Sequence, residues 1–134
     1  MSSEPTTEEA TNDRVVADFC AAWGAGDMDT IASALADDVI YHNIPMDPLQ
    51  GKDTVLAVIG GFLEGNSIVF ETLHQVARGS IVMNERVDHL TMGDAEPIPL
   101  PVMGTFELVD GQITHWRDYF DLATFQGPSG ASAA

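Results

Sequence analysis

Basic side chains are scarce in this chain. Lys and Arg together number five, against 21 Asp and Glu, for a formal net charge of −16. Such a chain cannot neutralise a row of phosphates, which excludes nucleic acid as a partner, and the same deficit excludes attachment to anionic membrane surfaces. A neutral or cationic small molecule is not repelled. The single cysteine, Cys20, leaves no intrachain disulfide. No apolar run approaches the length of a membrane span. No basic stretch followed by an apolar one opens the chain, so no secretory leader is expected. A reducing, cytoplasmic setting fits all of these absences.

What is present fits one domain. At 134 residues and 45% hydrophobic content, the chain is long enough to bury a core. Residues 1–13 are polar and acidic and are expected to form a disordered arm. Residues 14–126 are expected to form the domain, and residues 127–134, small and glycine-rich, a flexible tail.

Within the domain the apolar period changes once. Val15, Val16, Phe19, Cys20 and Trp23 lie on one helical stripe over 14–24, closed by Gly24 and Gly26. A second short helix is expected over 27–36, then a break at Asp37-Asp38 and a short strand over 39–43 that ends before Pro45. A third helix spans 52–64, with Gly60-Gly61 in its interior, where close packing or a pliable wall would account for two glycines. From Ile68 the period is two: strands are expected over 68–78, 81–92, 102–109 and 112–121, with a tight hairpin at Asp110-Gly111 and a longer proline-bearing connection over 93–101. Helices first and strands later indicate an α+β fold. The expected form is a curved, mixed, mostly antiparallel sheet that makes a cone-like pocket, with about three N-terminal helices on its concave side.

Two of the five cations stand beside aspartates in apolar strand-like runs. Arg86 and Asp88 are two apart, so they share a strand face with Val82, Leu90 and Met92. In the last strand Trp116, Asp118 and Phe120 point one way, and Ile113, His115, Arg117 and Tyr119 the other. If the Asp118 face is concave, both aspartates and Arg86 enter one cavity, and Tyr41 and Asn43 reach it from the early strand. Two carboxylates on one guanidinium carry −1. Desolvation and like-charge repulsion would then hold a proton on one aspartate near neutral pH, giving an acid and a base from one residue type. Tyr41 and Asn43 would hold a water. Addition of water to a strained neutral electrophile needs that set: a base on water, an acid at the departing oxygen, and no nucleophilic side chain or metal.

At these residues the chain resembles a known family. Tyr41-x-Asn43, Arg86-x-Asp88 and Trp116-Arg117-Asp118-Tyr119-Phe120-Asp121 are similar to the motifs of the limonene-1,2-epoxide hydrolases. The Gly26-Asp27 to Asp38-Val39-Ile40-Tyr41 segment resembles the wider NTF2-like, SnoaL-like superfamily. The resemblance covers residues 13 to 126. It implies that Asp118 is the general base on water, aided by Tyr41 and Asn43, that Asp88 is the general acid and that Arg86 bridges the two. It further implies a homodimer that needs no cofactor or metal and converts a small apolar, cyclic or terpene-like epoxide to a vicinal diol in one step. Trp23, Phe62, Leu90, Met103, Phe120 and Phe125 are the expected pocket lining.

Each element of this reading has a plainer one. Arg86-x-Asp88 alone is commonly a solvated ion pair, and Asp118 alone a surface charge beside Arg117. The apolar residues on both faces argue for burial instead. Arg117 and Asp121 are assigned to the convex side or a subunit contact. His74, His89 and His115 lack tight ligand spacing, so no metal site is expected. Cys20 is read as a small core residue. Two other functions use the same superfamily: a ketosteroid-isomerase-like or polyketide-cyclase-like isomerase, and a non-catalytic ligand-binding module.

Overall fold

A computed structural model describes residues 4–127. The elements run α1 (Thr7–Ala25), α2 (Met28–Ala34), β1 (Leu35–Asn43), β2 (Leu49–Gln50), α3 (Lys52–Leu63), β3 (Asn66–Arg78), β4 (Ile81–Met92), β5 (Ile98–Val109), β6 (Gln112–Tyr119) and α4 (Leu122–Gln126). One six-stranded sheet has the order β2-β1-β6-β5-β4-β3. Only the β1–β6 pair is parallel, and the remaining pairs are antiparallel.

The expected disordered arm is corrected by α1, which begins at Thr7 and not at residue 14. Its cause is a capping box. Thr6 Oγ1 accepts from the Glu9 amide (3.1 Å) and Glu9 Oε1 accepts from the Thr6 amide (2.8 Å), so two orphan donors of the first turn are satisfied. Glu9 Oε2 also accepts from the Gly79 amide (2.7 Å), which ties the helix start to the β3–β4 turn. Residues 1–3 of the arm and 128–134 of the tail lie outside the described residues.

Helix α1 lays Val16, Phe19, Cys20 and Trp23 onto the sheet's inner face, where Phe106 and Trp116 meet the Phe19 and Trp23 rings edge-on. Alternation along β4 buries Val82, Asn84, Arg86, Asp88 and Leu90, while Met92 is exposed and does not extend that face. The Asp37-Asp38 break is a shift of register within β1, which already begins at Leu35. A second irregularity, between Glu107 and Leu108 on β5, leaves Thr114 unpaired on β6. Ile113 therefore turns inward and is fully buried, against the strict alternation expected of it. Strand β5 also starts earlier than expected, at Ile98, and carries Pro99 and Pro101. Its residues 98–102 pair only with β4, because the β6 register begins at Met103–Tyr119, so one side of this stretch is an open edge that tolerates proline.

Candidate active site

Arg86 is the centre of the site. It is fully buried, near the middle of β4, and the planar guanidinium has five N–H donors in a fixed fork. Nε and Nη2 donate to the two oxygens of Asp88 at 3.0 and 2.9 Å. Nη1 and Nη2 donate to the two oxygens of Asp118 at 3.3 and 3.0 Å. The remaining Nη1 proton goes to Asn84 Oδ1 at 2.9 Å. The face of the cation lies over the Phe70 ring, 4.4 Å from its centroid.

Register brings Asp118 to Arg86. On β5, Gly104 stands between them, opposite Asn84 on one side and Asp118 on the other. A Cβ at Gly104 would collide with Arg86 Nη1, and would lie 2.8 Å from Asn84 Oδ1 and 3.0 Å from Asp118 Oδ1. Only glycine leaves room for the ion cluster there. The other neighbour of β6 is β1, where Asn43 pairs with Asp118 and Tyr41 with Trp116. The Tyr41 ring stacks on Trp116 (3.9 Å between centroids, 12° between planes) and its hydroxyl donates to Asn43 Oδ1 at 3.1 Å. Trp116 Nε1 donates to Asp118 Oδ1 at 2.8 Å.

These groups form one wall of a cavity of about 210 Å³. Asp88, Asp118, Tyr41 and Asn43 reach it, and Arg86 lies beneath them. The remaining lining is apolar: Val58, Ile59 and Phe62 from α3, Ile68 and Phe70 from β3, Leu90, Leu100 and Val102 from β4 and β5, and Met46, Phe120, Phe125 and the side of Trp23.

Burial sets the protonation pattern. It pushes the Asp88 carboxyl above its ordinary range, against the pull of Arg86, and the nearby Asp118 charge adds to the rise. Burial also raises the Tyr41 phenol, again with help from Asp118. For Arg86 the largest single effect of burial is to favour the neutral form, but the two carboxylates together outweigh it and keep the guanidinium charged. The cluster of Arg86, Asp88 and Asp118 thus has a net charge of −1 when both acids are ionised, and one proton, best held by Asp88, makes it neutral.

The sequence pattern of the limonene-1,2-epoxide hydrolase catalytic domain matches residues 10–127. The chain belongs to that family. Epoxide hydrolase EphG of Mycobacterium tuberculosis is 37% identical over 98 residues, which is 72% of this chain and 64% of that protein, so the match spans less than two thirds of the relative's length. The structure of an M. tuberculosis epoxide hydrolase described as limonene-1,2-epoxide hydrolase-like superposes with a TM-score of 0.83 at 32% identity, over 90% of both chains. A candidate polyketide cyclase of Xanthomonas campestris superposes with a TM-score of 0.82 at 20% identity, over 89% of this chain and 96% of that one, a likeness of fold alone. The fold of this epoxide hydrolase family member is NTF2-like, as the sequence implied.

Of the residues expected at the site, Tyr41, Asn43, Arg86, Asp88 and Asp118 come together, and Trp23, Phe62, Leu90, Phe120 and Phe125 line the cavity. Met103 does not. It is 50% exposed on the outer face of β5, while Leu100 and Val102, on the inner face of that strand, hold the wall instead. Asn84, Trp116 and Gly104 were not singled out for the site, although counting by two from Arg86 and Asp118 reaches the first two. The histidines serve other ends: His89 Nε2 bonds Glu71 Oε1 at 2.9 Å and His115 Nδ1 bonds Thr114 Oγ1 at 3.2 Å. On the outer face Arg117 pairs with Glu107 at 2.6 Å, and Asp121 caps α4, a short helix not expected from the periodicity.

Proposed function

We propose that this protein adds water to a small apolar epoxide, cyclic or terpene-like, and releases a vicinal diol in one step without a cofactor. The observation that carries the reading is the pair of buried carboxylates shared by one guanidinium on the wall of an otherwise apolar cavity. Asp118 is the base. Its Oδ1 already accepts from Trp116 and Arg86, whereas Oδ2 accepts from Arg86 alone and keeps a lone pair for a water proton. The Tyr41 proton is committed to Asn43 Oδ1, so the Tyr41 oxygen accepts from the water and the Asn43 amide N–H donates to it. Asp88, protonated through burial, is the acid.

As the water oxygen bonds to one epoxide carbon, that carbon's bond to oxygen breaks, Asp118 takes the water proton and Asp88 gives its own to the ring oxygen. The cluster charge stays constant throughout, and the proton returns to Asp88 by exchange with solvent when the diol leaves. The cavity volume bounds the substrate. A dry cavity of ~150 Å³ holds benzene, so about 210 Å³ suits a substituted single ring and is small for a fused polycyclic ketone. An isomerase would also have no use for an arginine held between two acids. A buried thiol at Cys20 fits a reducing, cytoplasmic setting. The protein acts as a homodimer, a reading supported by family membership and by the apolar side chains on the outer sheet face.

Incubation with cyclic and styrene-type epoxides in heavy-oxygen water tests the chemistry. The diol of the first turnover carries the label at one hydroxyl. An unlabelled first-turnover diol would mean that a carboxylate attacked the ring, and no diol from any epoxide would overturn the reading. Asp88→Asn and Asp118→Asn each lower diol formation by about 10²–10⁴-fold with the circular dichroism spectrum retained.

A further inference from the structure

The two aspartates account for four of the five Arg86 protons, and Asn84 for the fifth. Asn84 is itself held, and in one orientation only. Gln75 Nε2 donates to the backbone oxygen and to Oδ1 of Asp13 at 3.0 and 2.9 Å, which leaves Gln75 Oε1 as the atom facing Asn84. Asn84 Nδ2 donates to that oxygen at 3.1 Å and to Cys20 Sγ at 3.7 Å. A flipped Asn84 amide would set N–H against N–H at Arg86 and oxygen against oxygen at Gln75. The orientation is thus passed from Asp13 at the surface, through Gln75, to the buried guanidinium.

We infer that Asn84 is a positioning residue: a neutral acceptor that takes the guanidinium proton left over by the aspartates and so fixes how Arg86 is divided between Asp88 and Asp118. Two properties matter, and a side-chain amide has both. The carbonyl oxygen satisfies a buried charged N–H that would otherwise be orphaned. The absence of charge keeps the cluster at −1, so that one proton, not two, neutralises it. Asn84 does not line the cavity and touches no substrate.

The kinetic part of this inference rests on the epoxide reading; the electrostatic part does not. The titratable groups facing Arg86 are Asp88 beside it on β4, Asp118 on β6, Tyr41 on β1 and Cys20 on α1. His89 is next to Asp88 in sequence but points to the outer face, and the cavity-lining residues of α3, β3 and β5 are apolar. The test uses the full chain, labelled at the aspartate carboxyls with carbon-13, as wild type, Asn84→Asp and Asn84→Leu. In Asn84→Asp, which keeps the shape, either the Asp88 midpoint moves alkaline by about one pH unit or a further carboxyl titrates well above the ordinary range. In Asn84→Leu the Asp88 and Asp118 resonances shift. With styrene oxide as the probe, kcat of Asn84→Leu falls about 10–100-fold, with KM changed by less than about threefold. Unaltered carboxyl titration in both variants overturns the inference whatever the activity. Absence of turnover by wild type overturns the epoxide reading and leaves the titration to decide the role of Asn84. A lowered melting temperature with unaltered titration and kcat would make Asn84 merely structural and also overturn it.

Discussion

Removing one partner from a buried ion pair costs about 3–5 kcal/mol, because the other charge is left without compensation. Arg86, Asp88 and Asp118 are therefore held together by the penalty of separating them. One consequence is readable by pH. The folded protein keeps a proton on Asp88 above the pH at which an unfolded chain has released it, because burial raises that carboxyl. Between the ordinary carboxylate range and the raised Asp88 value, folding binds a proton, so stability declines as pH rises across that window. Denaturant melts over a pH series should give that negative slope, and Asp88→Asn, which cannot ionise, should lose it. On the proposed mechanism, in which protonated Asp88 is the acid, kcat/KM should fall through the same raised value. Gly104→Ala places a methyl group against Arg86 Nη1. Overpacking at such a site costs about 1–3 kcal/mol, so a lower melting temperature together with loss of diol formation is expected, and a fully active, stable variant would mean that the cluster has slack. The five polar residues were legible because Tyr41 and Asn43, and likewise Arg86 and Asp88, sit two apart in a strand, and Asp118 stands between Trp116 and Phe120 on one strand face. Met103 was not, because β5 reads Ile98, Leu100 and Val102 on one face and Pro99, Pro101 and Met103 on the other. Both rows are apolar, and only pairing with β4 distinguishes them. Gly104 needs the same cross-strand register to be recognised.

At the scale of elements, the clearest structural signal was a capping motif rather than a period. Thr6-Thr7-Glu8-Glu9 has the spacing of a capping box, yet the acidic, polar composition of residues 4–13 outweighs it when composition is read first. The buried Asn12, which donates to the Gly79 carbonyl at 3.3 Å, has no apolar signature at all. The hairpin at Asp110-Gly111 was legible for a local reason: both residues take positive φ, 51° and 76°, the geometry of the tight turn. Helix α3 answers the question its two glycines raised. A Cβ at Gly60 would meet only Met28 Cε, at 3.9 Å, and one at Gly61 would have no atom within 4 Å, so neither glycine serves close packing. Gly61→Ala should then stabilise the protein by about 0.5–1 kcal/mol, through helix propensity and a less free unfolded chain. A melting temperature raised by a few degrees checks this. A rise accompanied by slower turnover would indicate that α3, which carries Val58, Ile59 and Phe62 into the cavity, has to yield for substrate entry.

Over the whole molecule, the sheet has one face covered by helices and cavity and another left open. Val76, Met83, Met103 and Tyr119 stand on that open face at 65%, 45%, 50% and 48% exposure, in adjoining rows set by the β3–β4–β5–β6 register. Exposed apolar side chains of this kind, interspersed with Glu85 and Thr105 on the same face, suit an interaction site, and a second copy of the chain is the occupant proposed above. Charge opposes that association, since each copy carries −16. The opposition is long-ranged and screened by salt, with a Debye length of ~30 Å at 0.01 M and ~8 Å at physiological ionic strength, whereas apolar contact is not weakened by salt. Sedimentation should therefore give a dimer that tightens as salt is raised, the reverse of an interface built on ion pairs. Met103→Glu should weaken association by at least about tenfold, or 1.4 kcal/mol, and leave the cavity wall untouched because Met103 lies outside it. A dimer that loosens with salt would move the contact to a charged surface, and a monomer at every salt concentration would remove the second copy from this face.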